Sequence, residues 1–499
     1  MTIGAGSAAA SVIAGASFGY KLLWVQPVAM FLGIMMFMAL SNVVLTVRER
    51  PYWSFMGEAR KIWGPLIILI FLWGFGSVTA SVIWHFPQYG LAAGAVRSIV
   101  QQFAPTKQPV EDESLIKGEW KMVDGRKVEI QNNWKIVQDE RVEEREWFGF
   151  GKVALDDEGN PKMMTKYTPF GYRLSFAAGL VILFINLLVV FNYGRGGVGI
   201  KIYEWFMRGI IALVFLTFLL VVAMNVHKIE WLEMLKGFIG WYGIPTHEDP
   251  KEFEKTLTLV LGMVGASVGI NMTFMYPYTQ LKKGWGPEHK TLAKWDLGLT
   301  MFLPFVVITS LVMIGMTVSG VYTGNDVVDM AISPLRAATA LEGGFISQQV
   351  ATMIFCAGLI GMACGAIAAH MTCCGFVLNE MLGWEPTTWR FRLFAMTPAI
   401  GIFGVVFHLP FWFPVAASAI AFTMLPIAYS IFLILNNRRS YIGDAVGKGL
   451  KRTVFNALLV LALLMAVIGA SAQIKMRVID VIFPPTPPAA VQQEVELDD

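Results

Sequence analysis

Carboxylates are what the apolar stretches of this chain withhold. The 499 residues include 36 Asp and Glu, yet none lies in the interior of a long apolar run. Hard divalent cations prefer carboxylate oxygens, and proton-coupled carriers commonly place carboxylates inside the bilayer. Whatever these runs handle, they handle without fixed negative charge. Charge of either sign is scarce, at 15% of residues against 55% hydrophobic, with a mean hydropathy of +0.57. A soluble domain of this length carries more charge, about 25%. Cysteine is limited to Cys356, Cys364, Cys373 and Cys374, all in one apolar stretch, which excludes a disulfide framework. The six histidines never form H-E-x-x-H, "GDAVGKGL" lacks P-loop spacing and its hydroxyl residue, and no G-x-S-x-G occurs. The chain is therefore read as no enzyme and as needing no cofactor. No basic cluster with interleaved aromatics points to nucleic acid. No basic n-region marks a removable signal peptide.

What is present is apolar length. Eleven segments lie near 3–18, 23–47, 64–96, 172–193, 203–226, 257–281, 297–320, 346–379, 391–408, 411–435 and 453–474. They predict an all-α polytopic membrane protein with the lipid bilayer as its solvent, and the short alternating segments of a β-barrel are missing. Five loops are basic: Arg48 to Lys61, Arg195 to Lys201, Lys282 to Lys294, Arg390 with Arg392, and Arg438 to Arg452. If every segment crosses, all five fall on one side, which the positive-inside bias makes cytoplasmic. The N-terminus is then inside and the C-terminus outside, in what reads as a bacterial inner membrane.

The chain divides into helices 1–3 over residues 1–99, a polar insert over 100–170, helices 4–11 over 171–476, and a Pro-rich acidic tail over 477–499. Alternation in "EWKMVDGRKVEI" around Asp124-Gly125 predicts a β-hairpin in the insert, which the topology puts outside. The insert reads as a small folded cap or a docking surface for a protein partner.

Four stretches carry a resemblance. "AGASFGYKLLWV" at residues 14–25 resembles the link between the first two helices of the natural resistance-associated macrophage protein (Nramp) family of divalent-metal transporters. "LVLGMVGASVGINMTFMYPYTQ" is similar to that family's sixth helix, "LIGMACGAIAAHMTCCGFVLNEMLGW" to its eighth, and "FTMLPIAYSIFLILNNRRSYIGD" to its tenth. The resemblance implies two five-helix repeats of inverted topology, with helices 1 and 6 broken at mid-membrane and substrate bound at the breaks. Unwound carbonyls and half-helix ends can hold an ion there. Gly4 and Gly6 in the first segment and Gly265 and Gly269 in the sixth would permit such breaks; close helix packing explains them equally well.

The ligands depart from the family pattern. Its Asp-Pro-Gly-Asn falls on Gly4, Ala5, Gly6 and Ser7, and its Met-Pro-His on Gly269, Ile270 and Asn271. A tenth-helix glutamine falls near Ser418, and the acidic third-helix motif near His85 and Gln88. Ser7, Gly269, Asn271 and Met272 are the expected substrate-binding residues, with Asn271 and Met272 as metal ligands and Met275 near them. Asn271 as a helix-break cap, with the methionines as core filler, is the plainer reading. His370, Cys373 and Cys374 share one helical face and form a second, soft-metal candidate. His85 is a candidate proton relay, or simply a hydrogen-bonded structural histidine.

The first segment is short: from Met1 to Gly19 a helix rises only about 28 Å, against a hydrocarbon core of about 30 Å. The family's inner half of helix 1 has no counterpart in this sequence. The start lies upstream, or the N-terminus reaches into a water-filled vestibule, or the transport cycle has been lost. The reading is an Nramp-like carrier of a divalent metal ion working by alternating access around a site between helices 1 and 6. The alternative is a non-transporting scaffold or receptor-like protein that binds a partner through the insert.

Overall fold

The computed structural model describes residues 4–103, 169–193, 197–329, 347–385, 387–406 and 412–480, with four short strands between 109 and 136 and a few isolated positions. The chain opens with α1 (Ala5–Phe18), 14 residues whose small side chains bury it almost completely. It starts at Gly4, in extended conformation, and stops at Gly19, whose φ of 57° suits glycine and lets its N–H reach the Gly15 carbonyl. α2 (Val25–Val47) returns across the bundle, and α3 (Pro51–Ile62) is a short amphipathic helix that packs against the next one. α4 (Gly64–Phe103) runs 40 residues with Pro87 inside, followed after the insert by α5 (Pro169–Tyr193) and α6 (Gly197–Met224).

The second half begins with α7 (Trp231–Phe238), then α8 (Pro250–Ser267) and α9 (Met272–Lys282), which are one segment in two pieces. α10 (Lys290–Asp296) continues through a π-helical turn into α11 (Leu303–Val318). α12 (Gln348–Met381) pairs lengthwise with α4. α13 (Thr388–Ala395) leads into a 3-10 helix at Thr397–Val405. α14 (Phe413–Phe422) and α15 (Leu425–Asn436) form another two-piece segment, and α16 (Arg439–Ile442) turns the chain into α17 (Gly449–Ile474).

Among the described residues, eight helical stretches are long and apolar enough to cross a membrane, and Gly6–Phe18 is a shorter apolar one. The chain is an integral, multi-pass membrane protein. The expected ninth span at 391–408 is not a regular α-helix. Gly401 and Gly404 press against the backbone of His85 and Phe86 on α4, which a tighter 3-10 coil allows. The boundaries at 99 and 100 also move, since α4 continues to Phe103. In the insert, Trp120–Val123 pairs antiparallel with Arg126–Glu129, Val123 opposite Arg126, and Pro109–Glu111 pairs with Trp134–Ile136. The rest of the insert and the tail beyond Asp480 lie outside the described residues.

Two sets of contacts tie off the ends of the bundle. At the C-terminal end of α1, Thr323 donates its N–H to the Ala16 carbonyl at 3.0 Å, Asp329 donates its N–H to Ser17 Oγ at 2.9 Å, and Lys21 pairs with Asp326. At the opposite end, buried Glu58 of α3 receives Arg438 Nε at 3.2 Å and Lys61 Nζ at 3.1 Å, while Arg50 Nε approaches buried Glu380 at 3.4 Å.

Gly6 and Gly265, expected at helix breaks, lie inside α1 and α8 instead. A Cβ on Gly265 would run into the Ser418 carbonyl of α14, and one on Gly6 into Ser418 Oγ, so both are close-packing positions. Gly265→Ala should therefore lower the melting temperature of the detergent-solubilised protein, by the equivalent of about 1–3 kcal/mol for overpacking. Scanning fluorimetry checks this, and an unchanged melting temperature would return Gly265 to the hinge.

Candidate functional site

The sixth segment loses its helix over Val268, Gly269, Ile270 and Asn271. Val268 is extended, with φ −138° and ψ 90°, and Gly269 lets the chain turn beside a large ring. A Cβ on Gly269 would collide with Asn271 Oδ1 and come within 3.0 Å of the Trp84 indole. Only a hydrogen there leaves room for the Asn271 amide to fold back over the break. Neighbouring helices satisfy the loosened backbone. Ser7 Oγ of α1 donates to the Ala266 carbonyl at 3.0 Å. Ser77 Oγ donates to the Ile270 carbonyl at 3.3 Å, and Thr273 Oγ1 donates to the same oxygen. Trp73 Nε1 in turn donates to Thr273 Oγ1 at 2.6 Å, and Cys373 Sγ donates to the Asn271 carbonyl at 3.3 Å.

A cavity of about 60 Å³ sits on this break, room for one small ion or a few waters. Ser7, Gly269, Asn271 and Met272 all line it, joined by Gly4 and Gly6 at the start of α1. Gln88 from α4, His370 from α12 and Ser418 from α14 close the remaining walls. Met275 is not in the lining, and Gly265 is one turn away inside α8. Sequence reasoning passed over Trp84, Ser267 and Met301, which also face the cavity. Trp84 had one available signal, its place beside the intramembrane His85.

Asn271 is 3% exposed, and its side chain makes no capping hydrogen bond to α9. The helix-cap reading of this residue therefore fails, and its amide is left to the cavity. His85 does not reach the cavity itself. It is fully buried behind His370, with its Nδ1 3.2 Å from His370 Nδ1 and 3.1 Å from the Ser81 carbonyl. Only one hydrogen fits between two Nδ1 atoms, so the rings hold complementary tautomers. Trp84 stacks on the His370 ring at 5.7 Å.

The His370, Cys373 and Cys374 face is divided among different partners: His370 meets His85, and Cys373 meets the Asn271 carbonyl. Among the described residues, no three His, Cys, Asp or Glu side chains converge to hold a metal. The cavity offers neutral oxygens from Ser7, Asn271, Gln88, Ser267 and Ser418, thioethers from Met272 and Met301, and one imidazole from His370. Such a set can strip part of a hydration shell, but it supplies no formal charge, and its mixture of hard and soft donors discriminates weakly between metals.

The family described as "Natural resistance-associated macrophage protein-like" matches residues 168–472, more than half of the chain. This chain belongs to that family. The Nramp-type match begins at α5, so the stretch at 14–25 and the Gly4–Ser7 region lie ahead of it. No match was found among curated proteins. Among solved structures, this one is similar to the crystal structure of the Eremococcus coleocola manganese transporter in complex with an aromatic bis-isothiourea substituted compound. The TM-score is 0.62 at 14% identity, covering 99% of this chain and 87% of that one. It is also similar to Mhp1, a nucleobase-cation-symport-1 family transporter in a closed conformation, with a TM-score of 0.50 at 14% identity, covering 99% and 96%. At these identities the likeness speaks for the fold alone. That fold is the leucine-transporter type, with the first segment of each half, α1 and α8–α9, meeting at the centre.

Two substitutions at the break should separate by their effect on stability. Thr273→Val leaves the buried Trp73 indole N–H unpaired and should cost about 1–3 kcal/mol. Asn271→Leu removes no capping bond and should leave the melting temperature unchanged within error. Equal losses on thermal denaturation would return Asn271 to a structural role.

Proposed function

We propose that this Nramp-type protein carries a divalent metal ion across the membrane by alternating access around the cavity at the α8–α9 break. The observation that carries the reading is the position of that cavity, at the one place where the first segments of the two halves meet and a helix is unwound. Ser7 Oγ, Asn271 Oδ1, Met272 Sδ and the backbone of the break act as its ligands, with His370 and Gln88 at the rim. Because every donor is neutral, the ion keeps part of its water and passes with little selectivity. Strong discrimination between manganese and calcium belongs to a site with more soft donors.

Uptake into sealed vesicles, with a panel of cations and with or without a proton gradient, tests this directly. Asn271→Leu should reduce uptake at least tenfold, about 1.4 kcal/mol, at unchanged melting temperature. Ser7→Ala should have a smaller effect in the same direction, since a hydroxyl contributes less than an amide. Normal uptake by Asn271→Leu, or a marked preference for manganese over calcium, would sink this site; no cation uptake at all would favour a scaffold role.

His85 takes the part of proton relay in this reading. A proton taken up from the cavity at His370 Nε2 lets that ring pass its Nδ1 hydrogen to His85 Nδ1; His370 returns to neutral, and His85 becomes an imidazolium whose new N–H faces the Ser81 carbonyl. His85→Gln should abolish the stimulation of uptake by an inward proton gradient while sparing downhill movement. Stimulation that survives the substitution would leave His85 a structural residue.

For orientation, the basic loops are taken as cytoplasmic and the insert as external, in a bacterial inner membrane. The four native cysteines are buried and unbridged, so their removal gives a clean background for labelling. A cysteine at Lys451 should label only from the cytoplasmic side, and one at Trp120 only from the other. The reverse pattern overturns the topology.

A further inference from the structure

A much larger cavity, about 540 Å³, opens between α2, α10, α15 and α17, and it is built differently. Four cations line it: Lys290 and Lys294 one turn apart on α10, and Lys451 and Arg452 in the first turn of α17. No Asp or Glu is among the lining residues. The partners of these cations are neutral or none. Lys290 Nζ donates to Thr46 Oγ1 at 2.6 Å, and the Arg452 guanidinium donates to Asn437 Oδ1 at 3.2 and 3.0 Å. Among the described residues, none of the four meets a carboxylate within ion-pair distance.

The neighbouring cations do not behave this way. Arg48 pairs with Glu288, Arg50 with Glu380 and Glu385, Arg438 with Glu58, and Arg439 and Lys448 with Asp444. Acids thus meet these neighbouring cations, while none is among the residues that line the cavity. Like charges one helical turn apart repel, and among the described residues no carboxylate offsets that repulsion by an ion pair.

Below the cations the wall turns apolar. Met35, Met38, Leu297, Phe455 and Leu458 line it, and α17 beyond them presents Leu461, Leu464 and Ile468 outward. The cations sit where two long apolar stretches, Pro287–Val318 and Gly449–Arg477, begin. That is the depth at which a headgroup lies, with hydrocarbon immediately beneath.

The geometry points to a binding site for an anionic phospholipid, its phosphate held by Lys290, Lys294 and Lys451 and an acyl chain lying along Met38, Leu297 and Leu458. Charge complementarity selects the head, and the apolar wall selects a molecule with a tail over a soluble anion. The lipid bridges α2 of the first half, α10 of the second and the outlying α17, so its binding stabilises their mutual arrangement.

The test uses the purified full-length chain in a nonionic detergent. Phosphatidylglycerol and phosphatidylcholine of matched chains are titrated while adducts are counted by native mass spectrometry and melting is followed in parallel. Phosphatidylglycerol should bind as one retained adduct and raise the melting temperature, at a concentration at least tenfold below that needed for phosphatidylcholine. Lys294→Gln with Lys451→Gln should weaken phosphatidylglycerol binding at least tenfold; both side chains are exposed, so the fold should survive. Arg439→Gln with Lys448→Gln removes the same charge nearby and should leave binding unchanged. Equal response to the two lipids, or equal losses in the two double variants, overturns the site as diffuse surface attraction. Inorganic phosphate stabilising the protein as well as phosphatidylglycerol does, at equal concentration, overturns the lipid as occupant.

Discussion

Four residues outside regular helix, Val268 to Asn271, sit in the middle of a bundle whose outside is hydrocarbon. Hydrocarbon offers no partner to a backbone carbonyl, so each one freed by the break must find its donor inside the protein. Ser7, Ser77, Thr273 and Cys373 answer that demand from three other helical pieces and from α9 itself. The architecture follows from it. α1 has to be small and close so that Ser7 reaches Ala266, α4 has to place Ser77 and Trp73 against the break, and α12 has to present Cys373. The cavity is what remains once these donors are in place, and the Asn271 amide, not engaged in capping, faces it.

The position of the break was legible, and its cause was not. Asn271 is a side-chain amide in the middle of the sixth apolar segment, and it stands at the break. Glycine misled in both directions. Gly265 and Gly6 resemble hinges in sequence but serve as contact points for Ser418, because a glycine in a membrane helix records where another backbone comes close as readily as where the chain bends. Gly269 was the informative one, and only the positions of Trp84 and Asn271 show why. Hydropathy likewise found the apolar stretch at 391–408 but not its coil, since composition carries no trace of Gly401 and Gly404 lying on His85 and Phe86.

The same limit applies to His370, Cys373 and Cys374. Their spacing correctly put them on one side of a helix, but a helical face does not say which neighbour it meets. Different neighbours take up that face, the Asn271 carbonyl at Cys373 and, at His370, the His85 ring on a helix nearly three hundred residues away in sequence. Charge was easier to read than contact. The basic loops stood out from the sequence alone, while the division between cations that have an acid and cations that do not became visible only with the side chains in place.

The tie at the C-terminal end of α1 carries a consequence for timing. Any opening on that side must release Thr323 from Ala16, Asp329 from Ser17 and Lys21 from Asp326 together, because all three hang on one short loop after α11. Two are hydrogen bonds to backbone or hydroxyl and respond little to salt, whereas the third is a half-exposed ion pair that dissolved ions screen. The frequency of opening thus acquires a dependence on the ionic strength of the compartment that loop faces. In an alternating-access cycle this pair would tie the tempo of opening to the surrounding salinity through a lysine and an aspartate that do not line the cavity at the break.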